Sequence, residues 1–321
     1  MPKRKKLKGS NKKKFDKKID KNIKTKKDVF DSILNYYKDS TINNKQYCTE
    51  TLFRYTWLQI ENNEILKEQN VVILYDDRSL SYLHADKIYK TLNQLTEDKP
   101  IILILVSNGG YSGPAYLIGK LFQQFVSPKF KNFRIVIPRR AKSAATLLSC
   151  SASEIHMGKL SELGPIDPQI DGMPTLGLKN SIEHIAELAS LNEKSSNMFA
   201  KYLALTVKPI SVGHYERIAE SAVQYAERLL NKKINKLKNN PHKIAEKLVY
   251  GYKDHSFVID QEEAKDIFGN KIIKENTKEY YFGDKIYQSL TEFKEVANIL
   301  KINFSFVGDI SKIDFINVNK K

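Results

Sequence analysis

The 321-residue chain is poor in cysteine and contains no long apolar run. Its two cysteines, Cys48 and Cys150, form neither a zinc-ligand spacing nor a disulfide framework, a usage that favours a reducing, cytoplasmic compartment. The longest apolar runs, Val71–Tyr75 and Ile101–Val106, have the length of strands, well short of the roughly 20 residues of a membrane helix. Glycine patterns typical of Rossmann or P-loop nucleotide sites are also absent. The sequence therefore predicts a protein without a transmembrane segment, a metal site or a cofactor.

Acidic residues are scarce at the N-terminus in particular. Residues 1–27 hold fourteen lysines and arginines against Asp16 and Asp20, so they carry +12 of the +16 net charge, and the remaining 294 residues carry +4. This segment lacks the apolar stretch of a secretory signal, and its composition predicts a disordered tail. We expect the tail either to contact nucleic acid, an anionic membrane or an acidic partner, or only to increase solubility.

Hydrophobic patterning divides the chain into four predicted parts. They are a Lys-rich tail (1–28), a helical or extended arm (29–69), an α/β domain (70–275) and a C-terminal extension (276–321). In the α/β domain, strand-like runs alternate with segments of helical spacing, which indicates a mainly parallel sheet with helices on its faces. Ligands of such sheets bind beyond the carboxyl ends of the strands. Further predicted elements are helices over His84–Leu95, Ser112–Phe125 and Leu290–Leu300, a helical region over Asn180–Lys247, and a strand-like run over Phe257–Ile259.

Two turns that follow predicted strands carry the residue types of a hydrolytic site. Ser143 lies among small residues between the strand Phe133–Ile137 and a predicted helix, a context in which hydrolases expose a nucleophile, although G-x-S-x-G is absent. The strand Ile101–Val106 ends in the turn Ser-Asn-Gly-Gly (107–110), which is able to direct backbone amides at an oxyanion. An ordinary small residue in a tight turn is the alternative interpretation of Ser143.

The order of these motifs resembles the serine dehydrogenase proteinase family, which is related to signal peptide peptidase A and, more distantly, to Clp protease subunits. The resemblance covers roughly residues 70–275 and includes Ala-Lys-Ser-Ala-Ala-Thr (141–146) and Glu-Leu-Gly-Pro-Ile-Asp-Pro-Gln (162–169). It implies the Clp/crotonase-like spiral, an α/β fold of ββα units, and hydrolysis of peptide bonds. It also implies an assembly of several copies, because proteins of this fold generally form rings or stacks.

The resemblance further implies the roles of individual residues. Ser143 falls on the nucleophile position, and the amides near Gly109, Gly110 and Ala144 fall on the oxyanion hole. The sequence departs from the family at Asn108, where proline is usual, and this departure concerns the oxyanion loop.

Three residues are candidates for the base that activates Ser143. His255 suits a base near pH 7, and the resemblance to Clp subunits pairs it with Asp167 in a triad whose histidine and aspartate positions are exchanged. Lys194 lies at a distance after the serine comparable to that of the lysine in the Ser-Lys dyad of signal peptide peptidase A. Lys142 is adjacent to Ser143, and its alternative roles are binding a substrate carboxylate or pairing with Asp167.

Two other functions fit parts of the pattern. One is a crotonase-like acyl-CoA enzyme, which shares the oxyanion geometry but needs an adenine pocket and usually no serine nucleophile. The other is a catalytically inactive oligomeric scaffold that binds nucleic acid or an anionic surface through the basic tail. The context of Ser143 argues against the first, whereas the departure at Asn108 leaves the second open.

Overall fold

The computed structural model describes most of the predicted α/β domain and part of its flanks. The described residues are 25, 27–29, 31, 34, 51, 54–95, 99–125, 133–170, 173–191, 193–206, 209–299, 302–312 and 316–320. Nearly all of the basic tail therefore lies outside the described residues, as does Cys48. The chain forms two compact units, one of residues 63–284 with 305–315 and one of residues 1–62, 285–304 and 316–321. The four predicted domain boundaries stay predictions.

The elements follow one another as alternating strands and helices through most of the larger unit. The strands are β1 (Asn70–Asp76), β2 (Ile101–Ser107), β3 (Phe133–Ile137), β4 (Arg140–Ala141), β5 (Glu154–Met157), β6 (Glu162–Leu163), β7 (Gln169–Ile170), β8 (Met173–Pro174), β9 (Ile273–Lys274), β10 (Ile302–Asp309) and β11 (Ile316–Lys320). The helices are α1 (Glu64–Glu68), α2 (Tyr82–Gln94), α3 (Ser112–Phe125), α4 (Ala144–Ser149), α5 (Thr175–Ser190), α6 (Glu193–Thr206), α7 (Pro209–Leu230), α8 (Pro241–Tyr250), α9 (Gln261–Phe268) and α10 (Lys278–Ile299), with a 3₁₀ turn at Asn231–Lys236.

A mainly parallel sheet forms the centre of the larger unit. Its strands lie in the order β10-β1-β2-β3-β5-β9, in which β10 is antiparallel to β1 and the other neighbours are parallel. Every residue of β2 is buried, as expected for a strand covered on both faces, and this explains its continuous apolar run. Helix α3 covers the sheet with Ala115, Ile118 and Phe122, which recur at helical spacing and are fully buried.

Two short strands place the functional turns beside one another. Ala141 of β4 pairs with Ser107 at the end of β2 on one side and with Leu163 of β6 on the other. The turn after β2, the residues before Ser143 and the Gly-Pro-Ile-Asp segment therefore leave the sheet together. This edge is the carboxyl end of the parallel strands, where the sequence predicts the site.

Predicted and observed elements agree best in the core of the larger unit. Helix α3 and strand β3 have the predicted bounds. The predicted helix Leu290–Leu300 is the end of the longer helix α10. The predicted strand Phe257–Ile259 is wrong in extent, because only Ile259 forms a bridge, an antiparallel one to Leu163. Phe257 and Val258 are exposed, so their apolar character reflects neither a ladder nor the core.

The smaller unit contains helical residues 54–60 and the end of α10. Within it, the Tyr55 hydroxyl donates to Glu292 Oε2 at 3.0 Å, and the rings of Phe293 and Phe304 meet edge to face with centroids 4.8 Å apart. Burial and the Glu292 carboxylate raise the pKa of Tyr55 to about 12.

Candidate active site

Ser143 occupies a strained turn between β4 and α4. Its backbone has φ 51° and ψ −120°, a left-handed conformation that favours glycine and costs a residue with a side chain about 1–3 kcal/mol. The turn is closed by Ala145 N, which donates to Lys142 O at 2.8 Å. It is fixed from behind by Thr146, whose hydroxyl donates to Ala141 O at 2.7 Å and accepts from Gly164 N at 3.1 Å. Strain of this kind is typical of a nucleophile elbow.

The Gly109-Gly110 loop lies directly against this elbow. Both glycines have positive φ, 97° and 150°, and a Cβ on Gly109 would come within 2.6 Å of Lys142 O and 2.7 Å of Ser143 Cβ. The loop is held by Leu80, whose N–H donates to Gly109 O at 2.8 Å and whose carbonyl accepts from Tyr111 N at 3.0 Å. Only glycine permits this close approach of the loop backbone to Ser143.

The backbone amides near Ser143 differ in their hydrogen bonds. The Gly109 N–H donates to Ser107 Oγ at 3.1 Å. The N–H groups of Gly110 and Ala144 have no acceptor among the hydrogen bonds of the described residues. Because Ala144 is the first residue of α4, its N–H has no partner within the helix and adds the positive end of the helix dipole. Of the three predicted oxyanion residues, Gly110 and Ala144 thus have amides that are available to a ligand.

A cavity of about 440 Å³ lies over the elbow and the glycine loop. Its lining includes Ser143, Gly110, Ala144, His255 and the side chain of Ile218. With Gly109, which also lines it, the cavity brings together five of the predicted residues, although they come from three separate segments of the sequence. A cavity of this volume at the carboxyl edge of the sheet suits a short stretch of peptide.

His255 and Asp167 approach one another beside this cavity. His255 Nδ1 lies 3.8 Å from Asp167 Oδ2, which is too long for a hydrogen bond. His255 Nδ1 and Asp167 Oδ1 are both buried and have no hydrogen-bond partner. A buried pair of this kind is costly unless it closes, and catalytic hydrogen bonds are often long before substrate binds.

The two candidate lysines have different surroundings. Lys142 Nζ forms an ion pair with Glu162 Oε2 at 2.9 Å and donates to the carbonyls of Ser256 and Phe257 at 3.2 and 3.4 Å. The sequence-based alternative that Lys142 pairs with Asp167 is therefore wrong, because Glu162 on the neighbouring strand β6 takes the ammonium. Lys194 falls on helix α6, and its side chain lies outside the described residues.

A polar network next to the glycine loop was not predicted from the sequence. Arg140 Nε donates to Asn108 Oδ1 at 2.6 Å, and Arg140 Nη2 donates to Asp77 Oδ1 at 2.7 Å. Asn108 Nδ2 in turn donates to the Asp77 carbonyl at 3.4 Å. The only sequence signal for this network is that Asn108 and Arg140 each lie within three residues after a predicted strand, close to Gly109 and Ser143.

A second network fixes the loop that holds Gly110. The Asp76 carboxylate accepts from the Arg78 guanidinium at 2.7 Å, and His84 Nε2 lies 3.1 Å from it. Burial alone would raise the pKa of Asp76, but the hydrogen bonds from His84 and Arg78 outweigh it and hold the pKa well below its usual range. His84 Nδ1 also accepts from Ser81 N at 3.1 Å, which closes the capping box of α2.

Cys150 and His156 lie away from the cavity in the core. Cys150 is buried as predicted, and burial raises the pKa of its thiol to about 12. His156 is also buried, and its Nδ1 lies 2.8 Å from Thr277 Oγ1. Among the described residues, no three His, Cys, Asp or Glu side chains are grouped to hold a metal ion, and no helix is long and apolar enough to cross a membrane.

Comparison with known proteins decides the family. The family model of the ClpP-like SDH-type serine proteinases matches residues 78–300. The chain belongs to this family. The predicted resemblance is thus confirmed, and so is the predicted fold class, a Clp-like α/β spiral with a mainly parallel sheet and added helices. The match spans the elbow, the glycine loop, Asp167 and His255, so all these features lie inside the part of the chain that resembles serine proteinases.

Individual relatives of this ClpP-like SDH-type proteinase are more distant. The uncharacterized proteins MJ0137 and MJ1495 of Methanocaldococcus jannaschii are 29% and 31% identical over 99 and 94 residues, which cover 33% and 31% of their lengths. A solved serine-to-alanine variant of the 1510-N membrane-bound stomatin-specific protease is 14% identical, with a TM-score of 0.41 over 70% of this chain and 84% of that one. ClpP1 from Listeria monocytogenes is 16% identical, with a TM-score of 0.39 over 65% and 94%.

Proposed function

We propose that this chain is a serine peptidase of the Ser-His-Asp type. Ser143 is the nucleophile, His255 is the general base, and Asp167 orients the imidazole. The amides of Gly110 and Ala144 form the oxyanion hole, with Gly109 holding the loop against the elbow. The observation that carries this proposal is one cavity lined by a strained serine, two amides without acceptors, and a histidine whose Nδ1 faces a buried carboxylate.

The geometry supports a two-step acyl transfer. His255 Nδ1 faces Asp167, so Nε2 is the nitrogen left to accept the Ser143 proton as Oγ attacks the scissile carbonyl. The carbonyl oxygen then becomes an oxyanion, which accepts hydrogen bonds from Gly110 N and Ala144 N. When the tetrahedral intermediate collapses, the C–N bond breaks and the imidazolium gives its proton to the leaving amine. Water, deprotonated by the same imidazole, hydrolyses the acyl ester and returns Ser143.

The contacts of Lys142 argue against it as the base. A general base needs a free electron pair, and an amine gains one near neutral pH only where burial lowers its pKa. The Lys142 Nζ instead contacts a carboxylate at 2.9 Å and two carbonyl oxygens at 3.2 and 3.4 Å, so its hydrogen bonds go to Glu162 and to the loop after His255. We keep Lys194 as the alternative base, because its side chain lies outside the described residues.

A fluorophosphonate probe tests the nucleophile and the base separately. We expect the unmodified chain to be labelled, Ser143→Ala to be unlabelled, and His255→Gln to be labelled at least about 10²-fold more slowly. Lys194→Met serves as the matched variant for the alternative dyad and should be labelled at the normal rate. Labelling of Ser143→Ala would refute the nucleophile. Normal labelling of His255→Gln together with loss in Lys194→Met would transfer the role of base to the lysine.

We further propose that a second copy of the chain covers helices α5 and α6. No described side chain between residues 177 and 205 is buried, and five large apolar side chains are exposed there: Leu188, Leu191, Met198, Tyr202 and Leu205. An amphipathic hairpin without a buried face is unstable alone, and assembly of like chains would bury it. Light scattering should give a mass of several chains, and Leu191→Lys with Leu205→Lys should lower it. If the unmodified chain has the mass of a monomer, the proposal is wrong.

The predicted location and tail contacts complete the proposal. We place the protein in the cytoplasm, on the evidence of its cysteine usage, and expect a peptide or protein substrate. Contact of the Lys-rich tail with nucleic acid or another anionic surface stays a prediction, since residues 1–24 lie outside the described residues. Removal of residues 1–27 should weaken heparin binding steeply at low salt, and unchanged binding would leave the tail the role of a solubilising segment.

A further inference from the structure

Two basic side chains directly precede the elbow, and each contacts a different loop of the proposed catalytic site. Arg140 contacts the residue before the glycine loop, and Lys142 contacts the residues after His255. Both lie in or next to β4, the strand that leads into Ser143. The segment that carries the nucleophile therefore also touches the loops that carry the oxyanion amides and the base.

The Arg140 guanidinium joins the glycine loop to the end of β1. Its two donors divide between Asn108 Oδ1 at 2.6 Å and Asp77 Oδ1 at 2.7 Å, and Asn108 also donates to the Asp77 backbone. Glycines have no side chain that could fix their own orientation, so the direction of the Gly110 N–H depends on its flanks. On one side the loop is held by Leu80. On the other it is preceded by Asn108, and within the described part of the chain only the Arg140 side chain joins Asn108 to the strand that leads into Ser143.

The Lys142 ammonium fixes the loop that carries His255. The imidazole has no hydrogen bond of its own on Nδ1, so its position depends on the backbone of its loop. Lys142 donates to the two carbonyls that directly follow His255, those of Ser256 and Phe257, while Glu162 holds the ammonium at 2.9 Å. Gly164 makes room for this side chain, because a Cβ there would lie 2.7 Å from Lys142 Cδ.

We infer that Arg140 and Lys142 are positioning residues, Arg140 for the oxyanion amide of Gly110 and Lys142 for the base His255. This inference rests on the proposed function. Through Asn108, the guanidinium supports the glycine loop from outside the loop's own backbone. A displacement of about 1 Å at either loop is enough to cost roughly 10²-fold in rate.

The role proposed for Arg140 is tested by a double-mutant cycle with Asn108. We expect Arg140→Ala and Asn108→Ala each to lower kcat about 10- to 100-fold with KM nearly unchanged, and the double variant to be no worse than Arg140→Ala. Arg134→Ala is the matched control, since Arg134 forms a similar half-buried ion pair with Glu154 at 3.0 Å but lies on β3. Additive losses in the double variant would overturn the role proposed for Arg140. Normal kcat in Asn108→Ala would also overturn it, even if Arg140→Ala does not fold.

The role proposed for Lys142 is tested by comparing its variants with and without His255. We expect Lys142→Met to lower kcat about 10- to 100-fold in the unmodified chain and to have no effect on the residual activity of His255→Ala. Arg140→Ala should still lower that residual activity, because the oxyanion hole acts without the histidine. Lys142→Arg should restore most of the rate, and Lys265→Met, which removes an ion pair of 2.7 Å to Glu275, should have no effect.

If Lys142→Met lowers kcat equally with and without His255, the substitution damages the protein in general, and the role proposed for Lys142 is wrong. Failure of the proposed function is a separate outcome, since it requires that Ser143→Ala still reacts with the fluorophosphonate probe. If Ser143→Ala is inert while the Arg140 and Lys142 variants keep full activity, the proposed function stands and only the inference on positioning is wrong.

Discussion

The two halves of the proposed catalytic site are held to different degrees. On the nucleophile side, backbone hydrogen bonds of 2.8 Å close the elbow and hold the glycine loop, Lys142 N donates to Ser107 O at 3.1 Å, and the contact between loop and elbow admits only glycine. On the base side, His255 and Asp167 are 3.8 Å apart and two of their buried polar atoms have no partner. The nucleophile side is therefore complete before substrate arrives, whereas the base side still has to close.

The difference follows from how each half is built. Ser143 and Gly109 stand at the ends of strands that pair with one another, so the sheet register fixes their distance. Asp167 and His255 stand in loops that follow β6 and α8, and they meet through side chains only. We infer that the sheet supplies the oxyanion hole rigidly and that substrate binding or assembly brings the imidazole to its working position.

The largest expected effect tests the rigid half. Gly109→Ala should lower kcat/KM by more than about 10²-fold and the free energy of unfolding by about 2 kcal/mol or more, because φ is 97° and the new methyl meets Lys142 O and Ser143 Cβ. Gly213→Ala is the matched control, since a Cβ there meets no atom within 4 Å. It should keep full activity and gain up to about 1 kcal/mol in its helix. Kinetics and urea unfolding measure both, and normal activity in Gly109→Ala would contradict the proposed contact.

On the open side we expect a loss of activity without the loss of stability that accompanies Gly109→Ala. Asp167→Asn should lower kcat by about 10²–10³-fold, less than the roughly 10⁴-fold known for a closed triad, because the resting carboxylate makes no hydrogen bond to the imidazole. Asp260→Asn is a control that removes a carboxylate from the N-cap of α9 and should leave kcat unchanged. A loss of the full 10⁴-fold would mean that the pair is closed throughout catalysis, and no loss would remove Asp167 from the mechanism.

The same contrast separates what the sequence predicts from what it does not. Ser143, Gly109 and Gly110 are visible because each follows a continuous apolar strand, so local pattern and sheet geometry suffice. His255 and Asp167 were associated only through resemblance to a family. The partners of Arg140 and Lys142 were not predicted, since ion pairs to Asp77 and Glu162 depend on which strands become neighbours. The strand predicted over Phe257–Ile259 is wrong in extent because apolar character alone does not distinguish a strand from an exposed loop.

A buried lysine allows a pH test of the scaffold behind the elbow. Lys233 donates to the Ala152 carbonyl just beyond α4, and burial lowers its pKa from 10.5 to about 8. Between these values the unfolded chain binds the proton and the folded chain does not, so folding stability contributed by this group rises with pH from about 8 to about 10.5. At most it amounts to roughly 3 kcal/mol.

Urea unfolding at several pH values measures this contribution as a difference between variants. The free energy of unfolding of the unmodified chain minus that of Lys233→Met should increase between pH 8 and pH 10. The exposed neighbour provides the control, because Lys232→Met should leave the pH dependence as it is. A flat difference for Lys233→Met would mean that burial does not lower the pKa of this amine, which would then stay charged over the whole range in the folded chain as in the unfolded one.

The smallest effect concerns the strain at the nucleophile itself. Ser143→Gly removes the side chain from a backbone at φ 51° and ψ −120°, a conformation that glycine adopts without strain. Ser143→Ala also removes the hydroxyl but keeps a Cβ and therefore the backbone strain. Both variants should be inactive, but Ser143→Gly should unfold with a free energy about 1 kcal/mol higher than Ser143→Ala, after the extra entropy of glycine in the unfolded chain offsets part of the relief. Equal stability would show that the elbow is relaxed. A higher free energy of unfolding in Ser143→Gly would show that the strained backbone at residue 143 lowers stability, as expected where the serine serves catalysis rather than the fold.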